Sequence, residues 1–328
     1  MAAERDAALI RAILGSIDMP ATATQFLATG ATSRVWRADT SIGAVVVRLG
    51  NPAPGKATSF VADATVRRHL ACHDDRVAVP LAIGRWDPVP GEGDGVEWCV
   101  DRFVAGVTAP RRAIPVQACR ALGALLARLH ALRVTGYGLL ENRGDALVGR
   151  ANDPVAGLLT RLQNPWPLGS SRLEDHPIAA AAPDLVEQLV PLADQLRAAG
   201  TGRDHCLNHT DLHEGQLLLA GERLAALLDF GDAAIGPPTW DIASFAYFHG
   251  WPLARVVLAG YTSDEAKRRW LLADARAFAI LIALHHASRS ITLRRPQRME
   301  SAIQAIRHTL ATADRDGDNR MIGSHAIG

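Results

Sequence analysis

The chain has 328 residues, 48% of them hydrophobic and 21% charged, which supports a packed core and excludes a disordered polymer. Its 35 Lys and Arg residues face 34 Asp and Glu, a net charge of +1, so no overall field draws it to nucleic acid or to a membrane. The length exceeds one small core and suits two subdomains or one large domain.

In chain order, MAAERDAALIRAILGSIDMP reads as an amphipathic helix, because charge enters early and no sustained apolar stretch leads to a cleavage site. FLATG and RVWRAD flank a turn, and the β-branched run AVVVRL (44–49) lies between Gly43 and Gly50 as a strand. Apolar spacing predicts a helix over about 58–72. VAVPLAIG and VEWCVDRFVAG are two further strands, joined by the turn-rich PVPGEGDG. After Gly106 the pattern turns helical: ALGALLARLHALR (121–133), then 154–163 and 184–199. QLLLA and LAALLDF read as short strands, and Pro237 and Pro238 start a helix through Phe248. Residues 251–313 are almost all helix, and their longest apolar run, AFAILIAL, falls far short of the ~20 residues that span a bilayer. The four cysteines, Cys72, Cys99, Cys119 and Cys206, are scattered without a C-x-x-C pair and read as reduced thiols of a cytoplasmic protein. A β-rich part followed by a helical part implies an α+β, bilobal protein with a cleft, its lobes spanning 1–104 and 105–328.

Chemistry concentrates in HTDLHEGQ and DFGD. Burying an unpaired carboxylate is costly, so Asp211, Asp229 and Asp232 among apolar strands mark solvent, a cation or a reaction. Moving a phosphoryl group to an alcohol needs a carboxylate at the attacking hydroxyl, a second on Mg²⁺, often an amide oxygen beside it, and a cation on the phosphates. A hairpin of QLLL and LAALL brings Gln216 toward Asp229. Asp also caps helices and turns, the plainer reading of these residues. His205, His209 and His213 are spaced by four, but the segment does not read as a helix, so a zinc stripe is not expected. DRDGDN in the tail has a misplaced glycine and no closing Glu for a calcium loop, and reads as solvated.

His209-Thr-Asp211-x4-Gln216 followed by Asp229-Phe-Gly231-Asp232 resembles the motif pair of the aminoglycoside phosphotransferase family, which shares the protein-kinase-like fold. IGPPTWDIA, LGALLARLHAL, VVVRLGNP and TGATSRVWRA resemble the family's flanking segments in the same order. The resemblance implies that Asp211 positions and deprotonates the acceptor hydroxyl, that His209 braces its loop, and that Gln216 and Asp229 bind Mg²⁺. It further implies that Arg48 grips nucleotide phosphates, that Gly30, Thr32 and Ser33 cover them with backbone N–H groups, and that Cys99, Val100 and Asp101 hold the base. Asp241 becomes a structural partner of the catalytic loop. Gln216 stands where the family has Asn, Thr210 for Gly, Glu214 for Pro, and Arg48 where kinases use Lys. Asp63 is the nearest match to the helix acid that pairs with that cation, one methylene shorter.

The expectation is a small-molecule kinase using ATP or GTP with Mg²⁺. Its acceptor is the hydroxyl of an aminoglycoside-like antibiotic, or of a metabolite of the homoserine, choline or amino-sugar type. Glu214 and Asp232 are the acidic groups expected to meet a cationic acceptor. A nucleotide-binding module with weak catalysis is the alternative, motivated by Gln216, Arg48 and the missing helix Glu. A protein kinase is disfavoured, because the few residues between Asp232 and Pro237 leave no peptide-docking segment.

Overall fold

The computed structural model describes residues 2–30, 32–51, 60–87, 95–163, 166–169, 171–202 and 204–315. The first part comprises α1 (Ala2–Ser16), β1 (Ala21–Thr29), β2 (Ser33–Thr40), β3 (Gly43–Gly50), α2 (Phe60–Ala71), β4 (Pro80–Trp86) and β5 (Val96–Arg102). Its strands form one antiparallel sheet in the order β1-β2-β3-β5-β4. Strand alternation decides what faces where: Val45, Val47 and Leu49 of β3 enter a small core with Trp36, Trp98 and Val100, and Arg48 turns to the opposite face. Ile10, Ile13 and Leu14, three and four apart on α1, close that core. The strand expected from Val77 begins at Pro80, and Val77 instead makes an isolated parallel bridge to Leu227. Residues 88–94 of the PVPGEGDG connection, the expected helix start at 58–59 and the tail beyond 315 lie outside the described residues.

Residues 103–106 cross to β6 (Val107–Thr108) and α3 (Val116–His130), which starts earlier than expected, just after Pro115. There follow β7 (Tyr137–Leu140), β8 (Gly149–Ala151), α4 (Pro154–Leu159), α5 (Pro177–Ala181), α6 (Asp184–Leu189) and α7 (Ala193–Thr201). The single helix expected over 184–199 is two, broken by a 3₁₀ turn at Val190–Leu192 where Pro191 lacks the N–H an α-helix needs. Last come β9 (Cys206–Asn208), β10 (Leu217–Ala220), β11 (Arg223–Leu227), β12 (Ala234–Gly236), α8 (Thr239–His249), α9 (Trp251–Tyr261), α10 (Glu265–Thr292) and α11 (Pro296–Arg315). Two small sheets, β11-β10-β6 and β8-β7-β12-β9, hold the loops that carry the chemistry.

The larger core joins Leu122, Leu125, Leu126 and Leu129 of α3 to Phe278, Leu281 and Leu284 of α10. By length and composition α10 is apolar enough to cross a bilayer, but 83% of its apolar window is buried inside the protein. Ala62, Val66 and Leu70 of α2 pack into the same core, so α2 bridges from the five-stranded sheet to the helical part. All four cysteines are free thiols. The fold is α+β and bilobal, β-rich first and helical second.

Candidate active site

The loop after β9 is built around a buried carboxylate. Asp241, near the start of α8, is fully buried and accepts the His209 N–H (3.0 Å) and the Thr210 N–H (2.8 Å). His130 Nε2 lies 3.1 Å from the same carboxylate, and its Nδ1 lies 3.0 Å from the Tyr261 hydroxyl. Burial opposes the charged imidazole, but Cys206 and the bond to Asp241 raise its pKa well above the ordinary value. The His209 ring is buried too: Nε2–H donates to Leu228 O (2.7 Å), and Nδ1 faces the Asp211 N–H (3.4 Å). One neutral tautomer satisfies both. Thr210 is held at φ +71°, where a β-branched residue is strained, and its hydroxyl donates to Asp232 O (2.8 Å). These restraints leave the Asp211 carboxylate half-buried, with His213 Nε2 3.9 Å away.

The segment carrying Asp229 lies across a hairpin. Asp229 is exposed and adopts φ +60°, a conformation Asp tolerates. The Gln216 amide lies 3.4 Å from Asp229 Oδ2 and 3.1 Å from His213 Nε2. The two ends of an amide are isosteric, so the ring decides which end faces it. Gly215 N–H donates to His213 Nδ1 (3.0 Å), so a neutral ring carries its proton on Nε2 and favours an oxygen as its partner. In the structure the Gln216 amide N–H donates to Asp229 Oδ2 (3.4 Å); the opposite amide orientation, which the ring favours, sets the amide oxygen beside Asp229, where a hard cation can take both. These donors suit Mg²⁺, which takes one or two carboxylates and completes its shell with phosphate and water. The three histidines spaced by four do not converge: His209 braces, His213 caps a turn, and His205 lies edge-on to Tyr137.

The opposite wall carries a closed charge network. Arg48 on β3 pairs through Nε with Asp101 (3.0 Å) and through its guanidinium with Asp63 on α2. Arg67, one turn beyond Asp63, pairs with both Asp63 (2.7 Å) and Asp101 (2.7 Å) and also donates to Ala78 O (2.7 Å). Burial alone pushes the Asp63 carboxyl up, but Arg48 and Arg67 hold it well below the usual carboxylate range. Burial pushes the Cys99 thiol up to about 12, so it stays protonated and faces Asp101 at 3.2 Å as a neutral donor. The other Asp63 oxygen accepts the Phe230 N–H (2.8 Å), so one carboxylate binds both Arg48 and the backbone next to Asp229.

Some expected roles move. Cys99, Val100 and Asp101, expected at the base, lie inside β5, with Val100 paired to Val47 and to Ala82, and the Asp101 carboxylate belongs to the arginine network. Residues 103–106 link β5 to β6. Gly30 donates its N–H to Ser33 O (2.8 Å), and Asn51 N–H reaches Thr32 O (2.8 Å), so Gly30 closes a turn and does not offer its amide to a phosphate. Asp232 does not stand as an open acid either: Arg161 reaches its Oδ2 at 3.2 Å. Glu214 opens the 3₁₀ turn Glu214–Gln216 and is half-buried. Arg67, His130 and Arg161 were missed by sequence reasoning. The four-residue spacing of Asp63 and Arg67 on a helix was the one available signal.

A family model described as the phosphotransferase enzyme family matches residues 23–278. A comparison with curated proteins found no match. Among solved structures, the aminoglycoside phosphotransferase APH(4)-Ia is 17% identical, with a TM-score of 0.63 over 97% of this chain and 100% of that one. The macrolide 2'-phosphotransferase MphH from Brachybacterium faecium is 18% identical, with a TM-score of 0.54 over 92% and 98%. Spectinomycin phosphotransferase APH(9)-Ia, in complex with ADP and spectinomycin, is 13% identical, with a TM-score of 0.54 over 91% and 93%. At these identities the likeness is one of fold.

Proposed function

The chain belongs to the phosphotransferase enzyme family, and from that premise we propose that it transfers the γ-phosphoryl group of ATP or GTP to a hydroxyl of a small molecule in the cytoplasm. Asp211 accepts the hydroxyl proton, and its protein neighbours leave it available for that role. Asp229 and Gln216 are the residues to hold Mg²⁺, which when bound neutralises phosphate charge. Arg48, anchored by Asp63, faces the phosphates, Thr32 and Ser33 border them, and residues 103–106 border the base. His209 acts as a positioning residue through Leu228 and Asp241.

The observation that carries the reading is the half-buried Asp211 carboxylate on the loop whose Gln216 meets Asp229. Solved relatives with ADP and hygromycin B, with ADP and spectinomycin, and with GDP support a nucleotide donor and a small-molecule acceptor. The weak-module alternative loses one of its motives, since Asp63 fills the place of the helix acid.

Asp211→Asn is expected to lower kcat by roughly 10²–10⁴-fold with nucleotide affinity retained. Calorimetric titration of ATP and GTP with and without Mg²⁺ checks the rest: Asp229→Ala abolishes the Mg²⁺-dependent component. Unchanged turnover in Asp211→Asn sinks the proposal.

A further inference from the structure

The helical wall beside Asp211 carries more positive charge than it neutralises. Arg161, in the turn after α4, bridges Asp232, yet its Nε is buried with no hydrogen-bond partner among the described residues. Arg298 at the start of α11 donates to His286 Nδ1 (2.9 Å), and the His286 ring stacks flat on Tyr247 (centroids 4.6 Å, planes 10° apart). Arg289 lies one turn beyond His285 and His286 on α10, half-buried, in the field of both Asp232 and Asp211. Among the described residues neither Arg289 nor Arg298 has a carboxylate at ion-pair distance. The two histidines add no charge: burial first, then these arginines, holds His286 down at about 3 and His285 well below its usual value. Burial and the other two guanidiniums also disfavour the Arg289 cation.

Arg161, Arg289 and Arg298 therefore gather around the His285–His286 pair beside Asp232 and Asp211. Of the two carboxylates, Asp232 is bridged by Arg161, and Asp211 is reserved for the acceptor hydroxyl. On the Arg48 wall, two arginines and two aspartates saturate each other. Half-buried arginines with no protein anion suit a ligand anion, since the planar guanidinium matches carboxylate and phosphate geometry. Resting on the phosphotransferase reading, we propose that the acceptor is an anionic alcohol, a hydroxyl compound bearing a carboxylate or phosphate that lodges against Arg289 and Arg298 while its hydroxyl faces Asp211. This reverses the expected charge of the acceptor. An ammonium-bearing acceptor meets like charge here, and like charge is a means of rejection.

The test compares one sugar ring in four charge states: D-glucuronate, D-glucose 6-phosphate, D-glucose and D-glucosamine. Each is titrated calorimetrically into the full chain saturated with Mg²⁺ and a non-hydrolysable ATP analogue, so that the nucleotide does not occupy the arginines. At least one anionic sugar is expected to bind ~10–100-fold tighter than glucose, the worth of a charge-assisted hydrogen bond or two. Glucosamine is expected to bind more weakly than glucose. Whichever anion wins identifies carboxylate or phosphate. Arg289→Gln with Arg298→Gln is expected to abolish the preference, and Arg289→Lys to keep most of it. The proposal is overturned if glucosamine or hygromycin B binds tighter than both anions, if no anion binds, or if the folded double variant keeps the preference. The kinase reading stands apart from these outcomes. Nucleotide bound with Mg²⁺ and a cationic acceptor phosphorylated leaves that reading intact while this one fails. An anion preference without any phosphoryl transfer does the reverse.

Discussion

Two walls flank the catalytic loop, and they treat charge in opposite ways. On the β3 and α2 side, Arg48, Arg67, Asp63 and Asp101 form a buried, balanced set in which every guanidinium meets a carboxylate. On the α10 and α11 side, Arg289 and Arg298 lie half-buried without an acid among the described residues. A closed network holds a conformation, whereas an open one holds potential for something that arrives later. The first wall therefore concerns stability and the placement of Arg48, and the second concerns recognition.

The comparison breaks most visibly if the closed wall is opened. Asp63→Asn keeps the side-chain shape but removes the charge that Arg48 and Arg67 share, leaving two buried guanidiniums with Asp101 alone. Removing one partner of a buried ion pair costs about 3–5 kcal/mol, and that loss is the expectation for urea unfolding. The same change places an amide where Phe230 N–H is held, so Mg²⁺-dependent nucleotide affinity falls with stability. A loss below about 1 kcal/mol would mean that the network is dispensable packing.

An intermediate case sits between the walls, where Thr210 takes the strained conformation usually given to Gly. The Thr210 hydroxyl donates to Asp232 O, and that bond offsets the strain. Thr210→Val keeps the shape and loses the donor, leaving the Asp232 carbonyl without this bond, so it is expected to cost about 1–3 kcal/mol. Thr210→Gly loses the bond but also the strain, and is expected to change stability by less than about 1 kcal/mol. If both variants cost the same, the hydroxyl has no compensating role.

How much of this was legible in the sequence follows from contact distance along the chain. Asp211, Gln216 and Asp229 share one loop and hairpin, so spacing alone brings them together. Arg48 and Asp63 were paired only through resemblance, and Arg67 could have been found from helical spacing to Asp63. The pairing of Arg67 with Asp101, 34 residues away, and of His130 with Asp241, 111 away, depends on packing that no local pattern carries. The strands β7, β8, β9 and β12 have three or four residues, too few for a period of two to register. Asp232 was read as an open acid because Arg161 lies on a turn after a different helix, and their meeting is tertiary. The arginines of the second wall were not legible for the same reason: they come from α4's turn, α10 and α11, and none lies near the HTDLHEGQ and DFGD motifs in sequence.

The smallest effect gives the most discriminating test, because its sign separates the two walls. Burial disfavours the Arg289 cation, and Arg161 and Arg298 disfavour it further, while Asp232 and Asp211 offset this only in part. Its charge therefore works against the folded state without ligand. Arg289→Gln is expected to leave the unfolding free energy unchanged or raise it by up to about 0.5 kcal/mol, while anion affinity falls. On the closed wall, every charge removal lowers both stability and binding together. An Arg289→Gln variant destabilised by more than about 1 kcal/mol in urea would show that the second wall is a structural network with an unrecognised partner, and the distinction between the walls would collapse. A variant that holds or gains stability while losing its hold on anions places Arg289 among residues kept for what they bind, at the expense of the fold that carries them.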